Sequence, residues 1–175
     1  MQFKSDNNDQ LLATLREVIG DQYVMTDAHD TEPYLTDWRG YETGNALAVV
    51  FPATTEEVSQ LLRIAADYKC CVVPQGGNTG LVQGAIPVGQ SRAIVIGLRR
   101  LDRTREIDKA SNIIVLEAGV TLSAGHDAAA RVDRRIPLHL GSEGSAQIGG
   151  LAATNAGGTS ALRYGPIREL ICGIE

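Results

Sequence analysis

Apolar residues along the chain recur either at helical spacing or in short unbroken runs, which predicts a fold of mixed helices and strands. Between residues 9 and 19 the leucine, valine and isoleucine side chains fall on one helical face. Asn7 or Asn8 is the expected cap of this helix and Gly20 its stop. Residues 26–45 are acidic and interrupted by proline and glycine, which indicates a long covering loop.

A strand–helix–strand unit is predicted over residues 47–73. The apolar runs 47–51 and 70–73 are typical of buried strands. Between them, Thr54 and Glu57 form a capping box in front of an apolar helical face. Because such crossovers join parallel strands, we expect a right-handed βαβ unit with parallel strands.

The second half of the chain favours antiparallel pairing. Residues 93–96 indicate another strand, and a turn-forming stretch at 108–112 separates two runs that predict a hairpin. Thr121 is the expected cap of a helix that extends to about Val132.

Residues 171–175 have the pattern of a strand that has just begun, so we expect the architecture to continue past Glu175. An apolar run at 170–174 would then leave an unpaired edge or an apolar patch, which invites homo-oligomers or swapping.

These elements give an α+β fold class, with a small parallel βαβ subdomain and a second, mixed or antiparallel subdomain with helices. The expected organisation is an N-terminal helix and covering loop over residues 1–45 and one main domain over 46–175, truncated at its C-terminus. A length of 175 residues is enough for one domain with a core of its own.

Composition narrows the possible partners. The chain has 16 Lys and Arg against 21 Asp and Glu, a net charge of −5, without the dense basic run that nucleic acid binding requires. No apolar stretch is long enough for a signal peptide or a transmembrane segment, so a cytoplasmic location is expected.

Cysteine and histidine do not form a sequence motif for metal or redox chemistry. Cys70, Cys71 and Cys172 lack CxxC spacing and are interpreted as reduced core thiols. The histidines lie far apart without ligand-type spacing, so no metal site and no catalytic residue is assigned; their convergence in the fold is left open.

Glycine is the informative residue type, and most of the 19 glycines fall in two blocks. The first block, residues 74–81, directly follows a predicted buried strand and contains no charged residue. Such a loop exposes successive main-chain N–H groups and lets an anion approach closely, which favours phosphate or pyrophosphate. Neither the P-loop GxxxxGK[ST] nor the Rossmann GxGxxG is present, and a simple tight turn is the structural alternative.

The second glycine block, residues 141–158, is built from small and neutral hydrogen-bonding side chains. A surface of this kind can lie flat against a large planar ligand. Close helix-to-strand packing is the structural alternative for this block. A dinucleotide with a wide ring system accounts for both blocks together.

The sequences PQGGNTG and IGGxxATNAGGxxxxRYG, in this order and spacing, resemble the FAD-binding domain of the vanillyl-alcohol-oxidase type flavoproteins. The likeness is greatest to FAD-linked dehydrogenases of D-2-hydroxy acids, including D-lactate, glycolate and D-2-hydroxyglutarate. It implies that the first block surrounds the FAD pyrophosphate, that the second lines the ribityl chain and flavin, and that Ile174 approaches the adenine. The implied cofactor-binding residues are Pro74, Gln75, Gly76, Gly77, Asn78, Thr79, Gly80, Leu81, Gly144, Ser145, Ile148, Gly149, Gly150, Thr154, Asn155, Gly158 and Ile174.

The resemblance further implies oxidation of a D-2-hydroxy acid to the 2-oxo acid by hydride transfer to flavin. Some relatives attach the flavin through a histidine in the first block; Asn78 stands at that place here, so noncovalent FAD is expected. Catalytic groups and any metal site of relatives come from a substrate domain that this sequence lacks, so the chain alone is expected to be inactive. A same-fold oxidase of another alcohol or sugar, a flavin reductase of cell-wall precursor synthesis, and a flavin-binding subunit that needs a partner chain are the alternatives.

Overall fold

The computed structural model describes the backbone of residues 2–175 and side chains from Asn7 onward. The chain divides into two compact units, a first unit that ends at Arg100 and a second unit, Leu101–Glu175. Among the described residues, none of the helices is both long enough and apolar enough to cross a bilayer.

A four-stranded sheet is the centre of the first unit. Its spatial order is β1-β2-β4-β3, in which β2 and β3 both pair with β4 in parallel and β1 pairs with β2 antiparallel. The parallel character predicted for the βαβ unit is confirmed, although β4 lies between its two strands. The strands are β1 (Val24–Met25), β2 (Ala48–Val50), β3 (Cys71–Gln75) and β4 (Ala93–Gly97).

Three helices accompany this sheet: α1 (Gln2–Ile19), α2 (Ala28–Leu35) and α3 (Thr55–Asp67). Leu15 of α1 and Leu61 of α3 pack in one core with Ile94 of β4. Phe51 lies in another, with the neighbouring strand residues Val49 and Val95. Successive residues of β2 and β4 therefore belong to different cores, as the alternation of side chains along a strand requires.

Side-chain caps explain where α2 and α3 begin. Thr54 Oγ1 accepts a 3.1 Å hydrogen bond from Glu57 N, and the Glu57 carboxylate accepts one of 2.6 Å from Ala53 N, which confirms the predicted cap of α3. The covering loop predicted for residues 26–45 is wrong in part, because Asp27 caps α2 by accepting from His29 N and Asp30 N.

The expected start of α1 is also wrong. The helix runs from Gln2, ahead of Asn7 and Asn8, because neither glycine nor proline interrupts residues 2–19. Its predicted end is confirmed: Gly20 follows the helix with a φ of 90°, a left-handed conformation that glycine adopts without strain.

The second unit contains the predicted hairpin and three helices. Strand β5 (Thr104–Asp108) pairs antiparallel with β6 (Ile113–Leu116), and Asp108 accepts main-chain hydrogen bonds from Ala110 and Ser111 in the turn. Thr121 caps the next helix, as predicted, with its hydroxyl accepting from Ala124 N. The helices are α4 (Leu122–Ala130), α5 (Ile148–Thr154) and α6 (Ala161–Tyr164), followed by a 3₁₀ turn, Ile167–Leu170.

The strand predicted at residues 171–175 is wrong. A strand exists only where its main-chain groups pair with a neighbour, and within the described chain these residues have no such pairing. Leu170 and Ile171 pack against the core of the second unit, while Cys172, Gly173 and Ile174 are exposed. The expectation of an unpaired strand edge at 170–174 therefore fails.

Two of the three cysteines are not core residues. Cys70 is buried, whereas Cys71 and Cys172 are exposed, and all three are free thiols. Cys71 begins β3, where strand alternation directs it away from the core that Cys70 joins.

Candidate functional site

The first glycine-rich segment, residues 74–81, begins inside β3 and leaves the sheet at the carboxyl end of its parallel strands. Pro74 and Gln75 are the last two residues of the strand, and Gly76 to Leu81 form the loop that follows. Because β3 is an edge strand, the missing N–H of Pro74 removes no hydrogen bond that the sheet requires. Carboxyl ends of parallel strands are where open α/β sheets bind ligands.

The polar side chains of this segment are committed to the protein interior. The amide of Gln75 is buried and donates hydrogen bonds of 2.8 Å to the main-chain oxygens of Tyr34 and Ala85. Asn78 donates to the main-chain oxygen of Thr36, also at 2.8 Å. These contacts fix the loop from its inner side.

The remaining residues of the first segment turn toward solvent. Gly80 and Leu81 are exposed, and Gly76, Gly77 and Thr79 are half-buried. A Cβ atom at Gly80 would meet no atom of the described residues within 4 Å. The loop therefore has open space beside its main chain, which is the property that close approach of an anion requires.

The second glycine-rich segment, residues 141–158, forms a turn followed by α5. Gly144 and Ser145 are exposed in the turn, and Ile148, Gly149 and Gly150 make the half-buried first turn of the helix. The helix is joined to its surroundings by the main chain, since Ile148 N donates to Val120 O at 2.9 Å. The segment thus presents small residues on a fixed backbone.

The glycines of the second segment fall into two classes according to what a Cβ atom would meet. At Gly149 it would lie 2.8 Å from the Cβ of Ala118, and at Gly158 it would collide with the main-chain oxygen of His139. At Gly144 and Gly150 it would meet nothing within 4 Å. Packing against neighbouring residues therefore requires glycine at positions 149 and 158. At Gly144 and Gly150 no such packing against the described residues is seen, and the space beside the main chain is open.

Thr154 and Asn155 end α5 with bonds to the protein itself. The Thr154 hydroxyl donates to Gly150 O at 2.9 Å, and the Asn155 side chain accepts from Arg168 N at 3.2 Å. Asn155 has a φ of 51°, the left-handed geometry of a helix C-cap. Ile174 lies apart from α5 in the chain and is 84% exposed.

Gln147 is a candidate that the sequence analysis missed. It is the N-cap residue of α5 and is buried, yet its Oε1 atom has no hydrogen-bond partner among the described residues. A buried acceptor without a partner costs free energy unless something else donates to it. The only sequence signal was its position between two residues already assigned, Ser145 and Ile148.

The second unit also brings together two histidines that are distant in sequence. The rings of His126 and His139 stack with centroids 4.9 Å apart, and both approach the Glu143 carboxylate. The two histidines therefore converge in the fold, although their spacing in the sequence is not that of a ligand motif.

A family model described as "FAD binding domain" matches residues 46–175, which is most of the chain. The chain belongs to this FAD binding domain family. The match includes both glycine-rich segments and every residue named above as a candidate cofactor contact. It confirms the family that the two sequence motifs indicated.

Relatives of this chain include the mitochondrial D-2-hydroxyglutarate dehydrogenases of Arabidopsis thaliana and Bos taurus. The first is 37% identical over 163 residues, which cover 91% of this chain and 28% of the relative. The second is 36% identical over 173 residues, covering 99% of this chain and 31% of the relative. The chain therefore spans less than a third of the length of these two relatives.

Solved structures extend the likeness to the fold. An alkyldihydroxyacetonephosphate synthase matches with a TM-score of 0.85 at 19% identity, covering 93% of this chain and 32% of that one. A substrate-bound p-cresol methylhydroxylase matches with a TM-score of 0.73 at 18% identity, covering 87% and 30%. At this identity the likeness concerns the fold, and it confirms the predicted α+β class and the vanillyl-alcohol-oxidase type of architecture.

Proposed function

We propose that this chain is the FAD-binding portion of a flavin-dependent oxidoreductase that converts a D-2-hydroxy acid to its 2-oxo acid. The family match supports the cofactor, and the names of the Arabidopsis and Bos taurus relatives support the substrate class. Because the chain covers less than a third of those relatives, we assign substrate binding and the catalytic base to residues outside it.

The observation that carries the cofactor proposal is the contrast between Gly149 and Gly150 in one helix. Gly149 is explained by packing, but no atom of the described residues outside the helix lies within 4 Å of a Cβ placed at Gly150. Gly80 and Gly144 have the same open surroundings, and Gln147 Oε1 lies buried without a partner. Open main chain together with an unused acceptor is what a large polar ligand with a planar ring needs.

In this proposal each segment has its own task. Main-chain N–H groups of residues 76–80 donate hydrogen bonds to the diphosphate, while Gln75 and Asn78 hold the loop from behind. Gly144, Ser145 and Gly150 would hold the ribityl chain and ring, and Gln147 Oε1 would accept a hydrogen bond from a ring N–H. When bound, FAD supplies the capacity to accept two electrons from the substrate carbon. The protein's contribution is to orient the ring and exclude water from it.

We propose further that FAD is held without a covalent bond. The Asn78 amide is not a nucleophile comparable to histidine, and it is engaged with Thr36 O. Acid precipitation of the flavin-loaded protein should release all flavin into the supernatant. Flavin that remains with the precipitated polypeptide would contradict noncovalent binding.

The function is tested by titrating the purified chain with FAD and then adding hydroxy acids under anaerobic conditions. One FAD should bind per chain, seen as quenching of free-flavin fluorescence, and the flavin absorbance should not bleach. In a longer protein that contains this sequence and spans the full length of its relatives, the flavin absorbance should bleach with D-2-hydroxyglutarate, D-lactate or glycolate. L-2-hydroxyglutarate is the control substrate. No FAD binding in either form would refute the cofactor assignment, and bleaching by the 175-residue chain would refute the placement of catalysis outside it.

The short coverage of relatives also supports a second candidate, a flavin-binding subunit completed by a separate chain. Affinity purification from its native source distinguishes the two. A second polypeptide present in equal amount supports the subunit, whereas a single longer polypeptide containing this sequence supports the first proposal.

A further inference from the structure

Three side chains of the second unit converge on one point although they come from separate parts of the chain. His126 lies in α4, and His139 and Glu143 lie in the connection between α4 and α5. Glu143 Oε2 is 3.0 Å from His126 Nε2 and 3.6 Å from His139 Nδ1. All three potential ligand atoms lie within 4.8 Å of one another.

The donor set and its spacing fit a divalent transition metal. Imidazole nitrogen and carboxylate oxygen are common ligands of Zn²⁺, with two histidines and a glutamate forming a known combination. At bond lengths of about 2.0–2.1 Å, tetrahedral ligands lie roughly 3.3–3.4 Å apart. The two separations from Glu143 Oε2 bracket that value.

Main-chain hydrogen bonds hold the three ligand-bearing residues in place. Ser123 N, one turn before His126 in α4, donates to Glu143 O at 3.0 Å. Thr159 N donates to His139 O at 3.1 Å, and the backbone of Gly158 packs against the same carbonyl. The backbone of the cluster is therefore positioned by the fold before any ion binds, so that binding has to order only the side chains.

His126 Nε2 provides a second observation that points to a ligand. This atom is buried and, despite its closeness to Glu143, has no partner in hydrogen-bond geometry among the described residues. A metal ion between the three groups would satisfy it. Because an imidazole lone pair lies in the ring plane, the rings, which are now 8° from parallel, must rotate out of their stack to coordinate.

We propose that His126 Nε2, His139 Nδ1 and Glu143 Oε2 bind one divalent transition-metal ion, with Zn²⁺ the best match. The side chain of His139 is 45% exposed, so an ion can enter from solvent and water can complete its coordination. Gly144 and Ser145 directly follow Glu143, so the ion would also fix the turn that leads into α5. The site itself does not depend on the proposed function.

The test uses the purified chain after chelator treatment, titrated with Zn²⁺ in competition with a chromophoric chelator and separately with Co²⁺. One ion should bind per chain. Co²⁺ should give visible d–d bands without a thiolate charge-transfer band, which excludes the exposed cysteines as ligands. The variants are His126→Ala, His139→Ala and Glu143→Gln, and His29→Ala, which changes an exposed histidine of the first unit, is the matched control.

Removal of a ligand should weaken Zn²⁺ binding at least about tenfold in each of the three variants, while His29→Ala binds like the parent chain. Zn²⁺ should also raise the melting temperature of the parent and of His29→Ala, but not of His139→Ala. If His126→Ala fails to fold, His139→Gln gives the same reading at the more exposed position. Equal affinity in parent and ligand variants, absence of binding, or a thiolate band would overturn the proposal.

Discussion

The side-chain amide of Asn78 donates a 2.8 Å hydrogen bond to the main-chain oxygen of Thr36, the residue that caps the C-terminus of α2. Asn78 also has a φ of 50°, in the left-handed region that asparagine tolerates better than most residues. Asn78 thus provides a left-handed turn in the first glycine-rich segment and, together with Gln75, attaches that segment to α2.

Two substitutions at position 78 separate these roles. Asn78→Gly keeps the left-handed conformation and loses the hydrogen bond, so it should lower the free energy of unfolding by about 0.5–1.5 kcal/mol. Asn78→Ala should cost a further ~1–2 kcal/mol because alanine is strained at positive φ. Both should weaken FAD binding. Urea unfolding and FAD titration measure the effects, and an alanine variant as stable as the glycine variant would contradict this account.

Glu117 should make the second unit sensitive to acid. Its carboxylate is buried and accepts hydrogen bonds from Arg103 N at 2.9 Å, Arg103 Nε at 3.1 Å and Arg105 Nε at 3.2 Å. Burial alone would raise the pKa of Glu117, but these hydrogen bonds together outweigh it and hold that pKa below its usual range. A lowered pKa in the folded state stabilises the fold above the unfolded pKa of about 4.3. The stabilisation is lost as the pH falls through the folded value.

Glu117→Gln should therefore lower the free energy of unfolding by about 1–3 kcal/mol at pH 7. The difference from the parent chain should shrink as the pH is lowered below about 4.3. Glu106→Gln, at an exposed position of β5, is the control and should change stability by less than about 0.5 kcal/mol. A Glu117→Gln deficit that is constant with pH would argue against the ionic role.

The cysteines should differ in reactivity. Cys71 and Cys172 are exposed, whereas Cys70 is buried and burial raises the pKa of its thiol. Ellman's reagent should label two thiols rapidly in the folded protein and the third only after denaturation. Cys71→Ser should remove one rapid thiol, while Cys70→Ser should remove the slow one. Three thiols that react at one rate would show that Cys70 is accessible.

Local signals in the sequence located most elements. The capping box at Thr54 and Glu57, the hairpin turn at Asp108 and the cap at Thr121 act within a few residues, so they could be identified without the fold. Helix α2 was missed because Pro33 indicated a loop, although Asp27 is a good cap. Strand β1 has only two residues and forms through its pairing with β2, which no local pattern records.

The roles of individual site residues depended more on the fold. Gly149 and Gly150 are adjacent and alike in sequence, and only their surroundings show that Ala118 lies against the first and open space lies beside the second. His126 and Glu143 are 17 positions apart by their numbers, so their approach follows from how α4 packs. Contacts between distant residues of this kind could not be derived from spacing.

The central claim is that the open side of α5 at Gly150 faces the bound cofactor, and FAD affinity of the pair Gly149→Ala and Gly150→Ala tests it. Gly150→Ala should fold at least as stably as the parent, gaining up to ~1 kcal/mol of helix propensity. The same variant should bind FAD about tenfold more weakly, as a clash of ~1.4 kcal/mol implies. Gly149→Ala should instead destabilise the fold by about 1–3 kcal/mol through its collision with Ala118. Parental FAD affinity in a well-folded Gly150→Ala protein would contradict the claim.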